Sequence, residues 1–135
     1  MSKKANRISP LETATRYIFS ERHYVLTTGR IKYPAFWPKN GETSVFRIAN
    51  LACRQIWDIG NYVASASSRT LRARGDVVAS HVFDEGLAIR ADTRDHPLHA
   101  SIIGWPSQRA KIKLLAIRIA NKAQLHLKPL KPSMS

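Results

Sequence analysis

Basic residues alternate with aromatic residues along one stretch of the chain, and this mixture suits single-stranded nucleic acid. Seven of the eleven aromatic residues lie between positions 16 and 47. Cations follow the phosphates of such a strand while aromatic faces stack on its bases, which contributes about 1–3 kcal/mol per base. The alternative is that the rings form sheet core and the cations face water. The candidates are cationic Arg16, Arg22, Arg30, Lys32 and Arg47, with Tyr33 and Trp37 for stacking.

A second group of cations lies in a helix predicted near the C-terminus. At 100° per residue, Lys111, Arg118 and Lys122 fall within about 40° of one another, and Arg109 and Lys113 make a second flank. No acidic residue occurs from position 96 onward, so nothing local neutralises these charges. We therefore expect these five side chains to contact phosphates. The alternative is that they serve only solubility and the helix dipole.

Two histidines occur in one acidic loop together with Asp92, Arg94 and Asp95. A histidine beside a carboxylate suits general-base chemistry or metal binding. The spacing His96-x-x-His99 places Pro97 where a zinc hydrolase motif requires glutamate, so we predict no metal site. We interpret the loop as a polar turn and assign no catalytic residue. His96 and His99 are kept as candidates for a metal-independent ribonuclease.

The charge of the chain is strongly positive but unevenly distributed. Its 135 residues carry a formal net charge of +13. Residues 1–41, 42–75 and 98–135 contribute +6, +3 and +7, whereas residues 76–97 contribute −3. Such an excess attracts polyanions, and it therefore favours nucleic acid as the partner. An acidic protein partner is the alternative.

Several function classes lack support in the sequence. The phosphate-binding motif G-x-x-x-x-G-K-[ST], the dinucleotide motif G-x-G-x-x-G and the hydrolase motif G-x-S-x-G are absent. The single cysteine, Cys53, excludes an internal disulfide and a Cys-rich zinc module. We expect Cys53 to be a structural thiol on the apolar stripe of a helix, and we expect no cofactor.

The hydropathy pattern predicts a cytoplasmic protein with no membrane partner. The basic N-terminus is not followed by the apolar stretch that a secretory signal needs. No window approaches the roughly 18 apolar residues that a bilayer span requires.

The first half of the chain predicts three strands and a helix. We expect strands over residues 16–25, with an interruption near 20–22, and over residues 31–37, where Pro34 requires an edge position or a bulge. The alternation in residues 43–49 predicts a third strand that buries Phe46. Asn50 is expected to cap a helix over residues 51–64, with an apolar stripe formed by Cys53, Ile56, Trp57, Gly60 and Val63.

The second half predicts three further strands and a second helix. The strands are expected over residues 75–83, 87–91 and 99–105, with loop 92–98 returning the chain antiparallel. Pro106 is expected at the first helical position, with the helix continuing over residues 107–125 and burying Ile112, Ala116, Ile119 and Ala123.

These elements predict a single α+β domain over residues 11–127, with two helices packed on a mostly antiparallel sheet. Residues 1–10 are polar and basic and predict a flexible arm. Residues 128–135, which include Pro129 and Pro132, predict an extended tail.

One segment of the chain carries a resemblance to other proteins. The sequence His-Ala-Ser-Ile-Ile-Gly-Trp-Pro at residues 99–106, followed by a basic helix, resembles a set of small bacterial proteins of unassigned function that share an HA-x-I-x-GWP-like segment. Ser-Val-Phe-Arg at 44–47 and Ile-Trp-Asp-Ile-Gly at 56–60 are similar to that set as well. The resemblance spans residues 16–125 and implies no activity, since its motifs suit a structural role as well as a functional one.

Taken together, these patterns predict a small basic intracellular protein that binds nucleic acid without catalysis, with RNA or a single strand favoured. Two alternatives belong to other classes. One is a small ribonuclease or toxin-like effector that uses the loop histidines. The other is an accessory module that docks an acidic protein.

Overall fold

Six strands form one antiparallel sheet, and two short strands form a separate hairpin. The computed structural model describes residues 7–130. The strands are β1 (Thr13–Ile18), β2 (Tyr24–Val25), β3 (Arg30–Ile31), β4 (Thr43–Arg47), β5 (Ala73–Val78), β6 (Ala88–Ala91), β7 (His99–Ile103) and β8 (Gln124–Leu127). The sheet has the order β6-β7-β4-β1-β5-β8, and every neighbouring pair is antiparallel. Strands β2 and β3 pair with each other.

Helices cover both faces of this sheet. The helices are α1 (Cys53–Ala66), α2 (Ala79–Phe83) and α3 (Arg109–Lys122), with 3-10 helices at Glu21–His23 and Tyr33–Phe36. Successive side chains of a strand point to opposite faces. Ile18 of β1 belongs to the core that includes α2 and α3, whereas Tyr17 belongs to the core that includes α1. The predicted α+β architecture is confirmed, and none of the helices within residues 7–130 has the length and hydrophobicity of a bilayer span.

Tyr17 joins the sheet to α1. Its hydroxyl donates a hydrogen bond to the carbonyl oxygen of Ile56, and its ring lies 5.6 Å from the ring of Phe46. Burial raises the pKa of Tyr17, so the hydroxyl stays a donor at any physiological pH. Gly60 of α1 faces this ring, and the missing side chain at Gly60 lets the helix approach the sheet closely.

The predicted strand over residues 31–37 is wrong beyond Ile31. Tyr33–Phe36 forms a 3-10 helix, with Pro34 in its first turn. The first amides of a helix have no partner within it, so the missing N–H of proline costs nothing there. Pro34 therefore starts a short helix and does not mark an edge strand.

The predicted strand over residues 75–83 is also too long. Strand β5 ends at Val78, and Ala79–Phe83 forms the short helix α2. Ala79 and Val82, three residues apart, are both fully buried. A short segment that mixes apolar residues with Ser80 and His81 suits a strand and a helix equally, and here the spacing of the buried positions follows the helix.

Helix α1 starts two residues later than expected. Asn50 adopts a left-handed φ of 68° and does not cap the helix. Ala52 occupies the cap position, and its N–H donates to the side-chain oxygen of Gln55. Cys53 is exposed, so its predicted place on the apolar stripe is wrong, whereas Ile56 and Gly60 are buried as expected.

The second predicted helix is shorter at both ends. Helix α3 begins at Arg109 and not at Pro106, and it ends at Lys122, where Ala123 turns to extended backbone. Gln124–Leu127 then forms β8, which pairs with the outer edge of β5. The predicted helix included Gln124 and Leu125 because they directly follow the helical pattern without a glycine or proline.

The remaining strand predictions hold in their main features. The predicted strand over residues 16–25 is interrupted, as expected, by the 3-10 helix at Glu21–His23. Strands β6 and β7 are antiparallel, as predicted. Both faces of β4 are buried, since Val45 is covered as well as Phe46. Residues 1–6 of the predicted arm and 131–135 of the predicted tail lie outside the described residues. Within residues 7–10, Ile8 packs against the core.

The contact between α1 and the sheet predicts a destabilising substitution. A Cβ at residue 60 would lie 2.7 Å from Cε1 of Tyr17, whose ring is held by its hydroxyl. Overpacking costs about 1–3 kcal/mol, and alanine returns about 1 kcal/mol of helix propensity. We expect Gly60→Ala to lower the free energy of unfolding in urea by up to about 2 kcal/mol. Asn61→Ala, at the exposed neighbouring residue, should not lower it in this way. Equal losses of unfolding free energy in the two variants would contradict this packing.

Candidate nucleic-acid interface

A groove between the Tyr33–Phe36 helix and α3 is lined by both stacking candidates. We call it the aromatic groove and define it by Tyr33, Pro34, Trp37, Arg109, Ala110 and Lys113, which enclose about 470 Å³. A second cavity of about 330 Å³ continues from it, since it shares Tyr33 and Pro34 and adds Arg30 and Lys32. Six of the twelve residues predicted to bind nucleic acid thus lie in one continuous depression.

Each aromatic ring of the groove has a cation over it. The guanidinium carbon of Arg109 lies 4.9 Å from the ring centre of Trp37, and Nζ of Lys113 lies 5.1 Å from that of Tyr33. The two rings lie 6.1 Å apart, tilted by 57°. A ring attracts a cation through its negative face. Charge and aromatic surface are therefore side by side at two successive points along the groove.

Backbone contacts of the 3-10 helix fix the aromatic wall. Phe36 is completely buried, and its carbonyl oxygen accepts a hydrogen bond from Oγ1 of Thr43 at 2.9 Å. The carbonyl oxygen of Ala35 accepts one from Nε of Arg16 at 2.8 Å. Since Ala35 and Phe36 turn into the core, Tyr33 and Trp37 keep part of their surface at the groove.

The four cations that line the two cavities form no ion pair within residues 7–130. Within residues 7–130, no carboxylate pairs with Arg30, Lys32, Arg109 or Lys113, whereas eight other basic side chains lie in ion-pair contact with carboxylates. Unpaired cations keep their full attraction for an incoming anion.

The other cations of α3 lie on its far side. At 100° per residue, Lys111, Arg118 and Lys122 are centred about 180° from Arg109 and Lys113. Arg118 forms an ion pair of 3.3 Å with Glu85, which follows α2. Helix α3 therefore presents two separate basic edges, and only one of them borders the aromatic groove.

The three remaining cation candidates are placed elsewhere. Arg47 pairs through two nitrogens with the carboxylate of Glu12, and both side chains are largely buried. Arg22 is exposed on the Glu21–His23 helix. Arg16 lines a different pocket, on the other side of the Ala35 carbonyl.

The loop histidines are held by hydrogen bonds within their own loop. Nδ1 of His96 accepts from the N–H of Leu98 at 3.0 Å, and Nδ1 of His99 lies 2.9 Å from the carbonyl oxygen of Asp92. Both rings lie edge-on to Phe46. A carbonyl oxygen only accepts, so His99 donates there and its Nε2 is the free acceptor, while neutral His96 carries its proton on Nε2.

This loop has no partner set for a metal ion. Among the side chains of residues 7–130, no three of His, Cys, Asp or Glu are grouped so that they could hold one. The carboxylate of Asp92 is instead occupied by Arg94, which donates two hydrogen bonds of 2.8 Å. What the loop offers chemically is one hydrogen-bond donor, on His96, and one proton acceptor, on His99, on two imidazoles that pack against the same ring.

Sequence reasoning missed two cations that join Arg16. Arg69 and Arg72 line its pocket together with Ser20, His23 and Thr70. Arg69 lies in the polar run over residues 65–70 that was predicted to end the first helix, and no role was predicted for Arg72. The signal that could have found them is charge, because no acidic residue occurs between Asp58 and Asp76 while three arginines do.

Comparison with known proteins gives no match. No family model, no curated protein and no solved structure matches this chain. The resemblance of residues 99–106 to a set of small bacterial proteins stays an expectation.

The Asp92 loop predicts a pH effect that a single substitution removes. Hydrogen bonds from Arg94 hold the pKa of Asp92 at about 2, below its unfolded value. A carboxylate with a lowered folded pKa stabilises the fold above the unfolded pKa, and that contribution is lost as pH falls toward about 2. We expect Arg94→Gln to raise the pKa of Asp92, as measured by NMR of its carboxyl carbon.

The control is Arg90→Gln, which removes a cation that pairs with Glu42 instead. This substitution should leave the pKa of Asp92 unchanged. An unchanged titration in Arg94→Gln would show that another group lowers the pKa.

Proposed function

We propose that this protein binds single-stranded nucleic acid, RNA or another single strand, through the aromatic groove and without catalysing a reaction on it. One observation carries the proposal: two aromatic rings and four cations that form no ion pair within residues 7–130 line one continuous depression. In proteins that bind single strands without sequence preference, cations follow the backbone and aromatic side chains stack on successive bases.

The rings favour a single strand over a duplex. Bases of a duplex are stacked on one another, so their faces are closed to a side chain, whereas bases of a single strand are open. Tyr33 and Trp37 lie close enough for neighbouring bases of one strand to reach both. A base that stacks on either ring replaces the cation over that ring or lies beside it. A replaced cation is then free to contact the adjacent phosphate.

The net charge supports the proposal at longer range. A formal charge of +13 attracts any polyanion, and the carboxylates of the −3 segment are largely engaged by nearby arginines. This attraction is independent of sequence and falls steeply with salt. The aromatic groove supplies the local contacts that general attraction does not.

The two basic edges of α3 allow a matched test. We expect Arg109→Gln/Lys113→Gln to weaken binding of a single-stranded RNA at least tenfold, because the pair borders the rings. The slope of log affinity against log salt should flatten by about 1.4, or about 0.7 for each lost phosphate contact. Fluorescence anisotropy over a salt series measures both quantities.

The control is Lys111→Gln/Lys122→Gln, which removes the same charge from the same helix on its opposite edge. Its effect should stay below about threefold and come from long-range attraction alone. Equal losses in the two double variants would contradict binding in the groove. Absence of binding at about 50 mM salt would contradict the proposal as a whole.

RNA cleavage is the second candidate function, and the tautomers of the loop histidines favour it. Nε2 of neutral His99 is an acceptor that can take a proton as a general base, while the Nε2–H of neutral His96 can donate a hydrogen bond to the substrate. The RNA recovered from the binding experiment distinguishes the two functions. Intact RNA supports binding, while fragments that disappear with His99→Ala support cleavage.

A further inference from the structure

A second basic pocket lies where the chain leaves β1. Arg16, Ser20, His23, Arg69, Thr70 and Arg72 contribute its polar side chains, and it encloses about 370 Å³. We call it the arginine pocket. It is separated from the aromatic groove by the Tyr33–Phe36 helix, whose Ala35 lines this pocket while Tyr33 and Pro34 line the groove.

Arg16 brings a charge into this pocket, and no carboxylate of residues 7–130 pairs with it. Its Nε and Nη1 donate to the carbonyl oxygens of Ala35 and Ser44, at 2.8 and 2.9 Å. A guanidinium has five N–H donors, so three are left without a protein partner in residues 7–130. Burial, with help from nearby Arg69, lowers the pKa of Arg16 to about 10, because both disfavour the charge.

Arg69 and Arg72 each have N–H donors that form no hydrogen bond within residues 7–130. Arg69 lies over the ring of Phe19 at 3.8 Å and uses its Nε for Ser67, which leaves its terminal nitrogens without a partner among the described residues. Arg72 contacts Glu21 at 3.5 Å at the exposed rim. Three guanidinium groups thus meet in one pocket whose only carboxylate contact is at its edge, as far as residues 7–130 are concerned.

The neutral side chains of the pocket are also suited to an oxyanion. Ser20 and Thr70 have hydroxyl donors, and the Ser20 oxygen already accepts from the N–H of Arg22, so its proton is available. Burial, together with the charge of Arg16, lowers the pKa of His23, so His23 is neutral near pH 7 and adds no further repulsion.

We propose that the arginine pocket binds a phosphate group, either as inorganic phosphate or as the terminal phosphate of a nucleotide or strand. Guanidinium groups form paired hydrogen bonds with phosphate oxygens, and a dianion relieves the repulsion between Arg16 and Arg69. The proposal goes beyond strand binding in the aromatic groove and stands without it, because inorganic phosphate needs none of the groove residues.

The test is a titration with inorganic phosphate at constant ionic strength, with chloride as the replaced anion. We expect saturable shifts of the His23 ring signals in the NMR spectrum below about 20 mM phosphate. Arg69→Gln should weaken this binding at least about tenfold, because it removes charge-assisted hydrogen bonds. Arg54→Gln, an exposed charge-matched change on α1, should leave it unchanged.

Arg72→Gln provides a second variant, since it removes a pocket cation without disturbing the contact of Arg69 with Phe19. Absence of a saturable shift in the wild-type protein overturns the proposal. Equal affinities of Arg69→Gln, Arg72→Gln and Arg54→Gln overturn it as well, since the response would then come from net charge.

A second arm identifies the source of the phosphate. Short oligonucleotides with a terminal phosphate and with a terminal hydroxyl are compared. A preference of at least about tenfold for the phosphorylated end, lost in Arg69→Gln and kept in Arg109→Gln/Lys113→Gln, supports a strand end in the pocket. Equal affinity of the two oligonucleotides, with inorganic phosphate still bound, supports free phosphate as the ligand.

Discussion

Burial of Phe36 is the constraint on which both candidate binding regions depend. Its side chain has no exposed surface, its carbonyl is held by Thr43 of β4, and the neighbouring carbonyl of Ala35 is held by Arg16 of β1. The 3-10 helix is therefore tied to two central strands and packed against α3. Tyr33 and Trp37 are left at the groove on one side, and Arg16 faces its pocket on the other. A change in this short helix would alter both regions at once.

The distribution of carboxylates separates structural cations from available ones. Asp76 contacts Arg74 and His126, Glu85 contacts Arg118, and Asp92 contacts Arg94. These acidic residues belong to the −3 segment and lie against the sheet edge, α3 and the histidine loop. The cations of the aromatic groove and the deepest cation of the arginine pocket have no such partner within residues 7–130. A net charge that looks uniform in composition is thus divided between cations that pair with carboxylates and cations that line two candidate binding regions.

Much of the fold follows from periodicity, and the errors occur where periodicity is ambiguous. Helix α1 and strand β4 were predicted because their apolar residues recur at helical and alternating spacing. The segments at Ala79–Phe83 and Gln124–Leu127 are short, mix apolar with polar residues and adjoin longer elements, and their neighbours decide their conformation. Tyr33 and Trp37 were predicted from residue type, and Arg109 and Lys113 from their spacing on a helix, but their convergence depends on the packing of α3. Arg69 and Arg72 were missed because only the folded chain brings them to Arg16.

Stacking on Trp37 is the most direct measure of whether a strand lies in the aromatic groove. Trp37→Leu removes the ring and no charge, so the account predicts that single-strand affinity falls at least about tenfold, while the slope of log affinity against log salt stays the same. Tyr62→Leu, at an exposed aromatic residue of α1, provides the matched control and should bind as the wild type does. If Trp37→Leu binds the strand as tightly as the wild type does, or loses no more affinity than Tyr62→Leu, the strand does not stack on Trp37 in the aromatic groove.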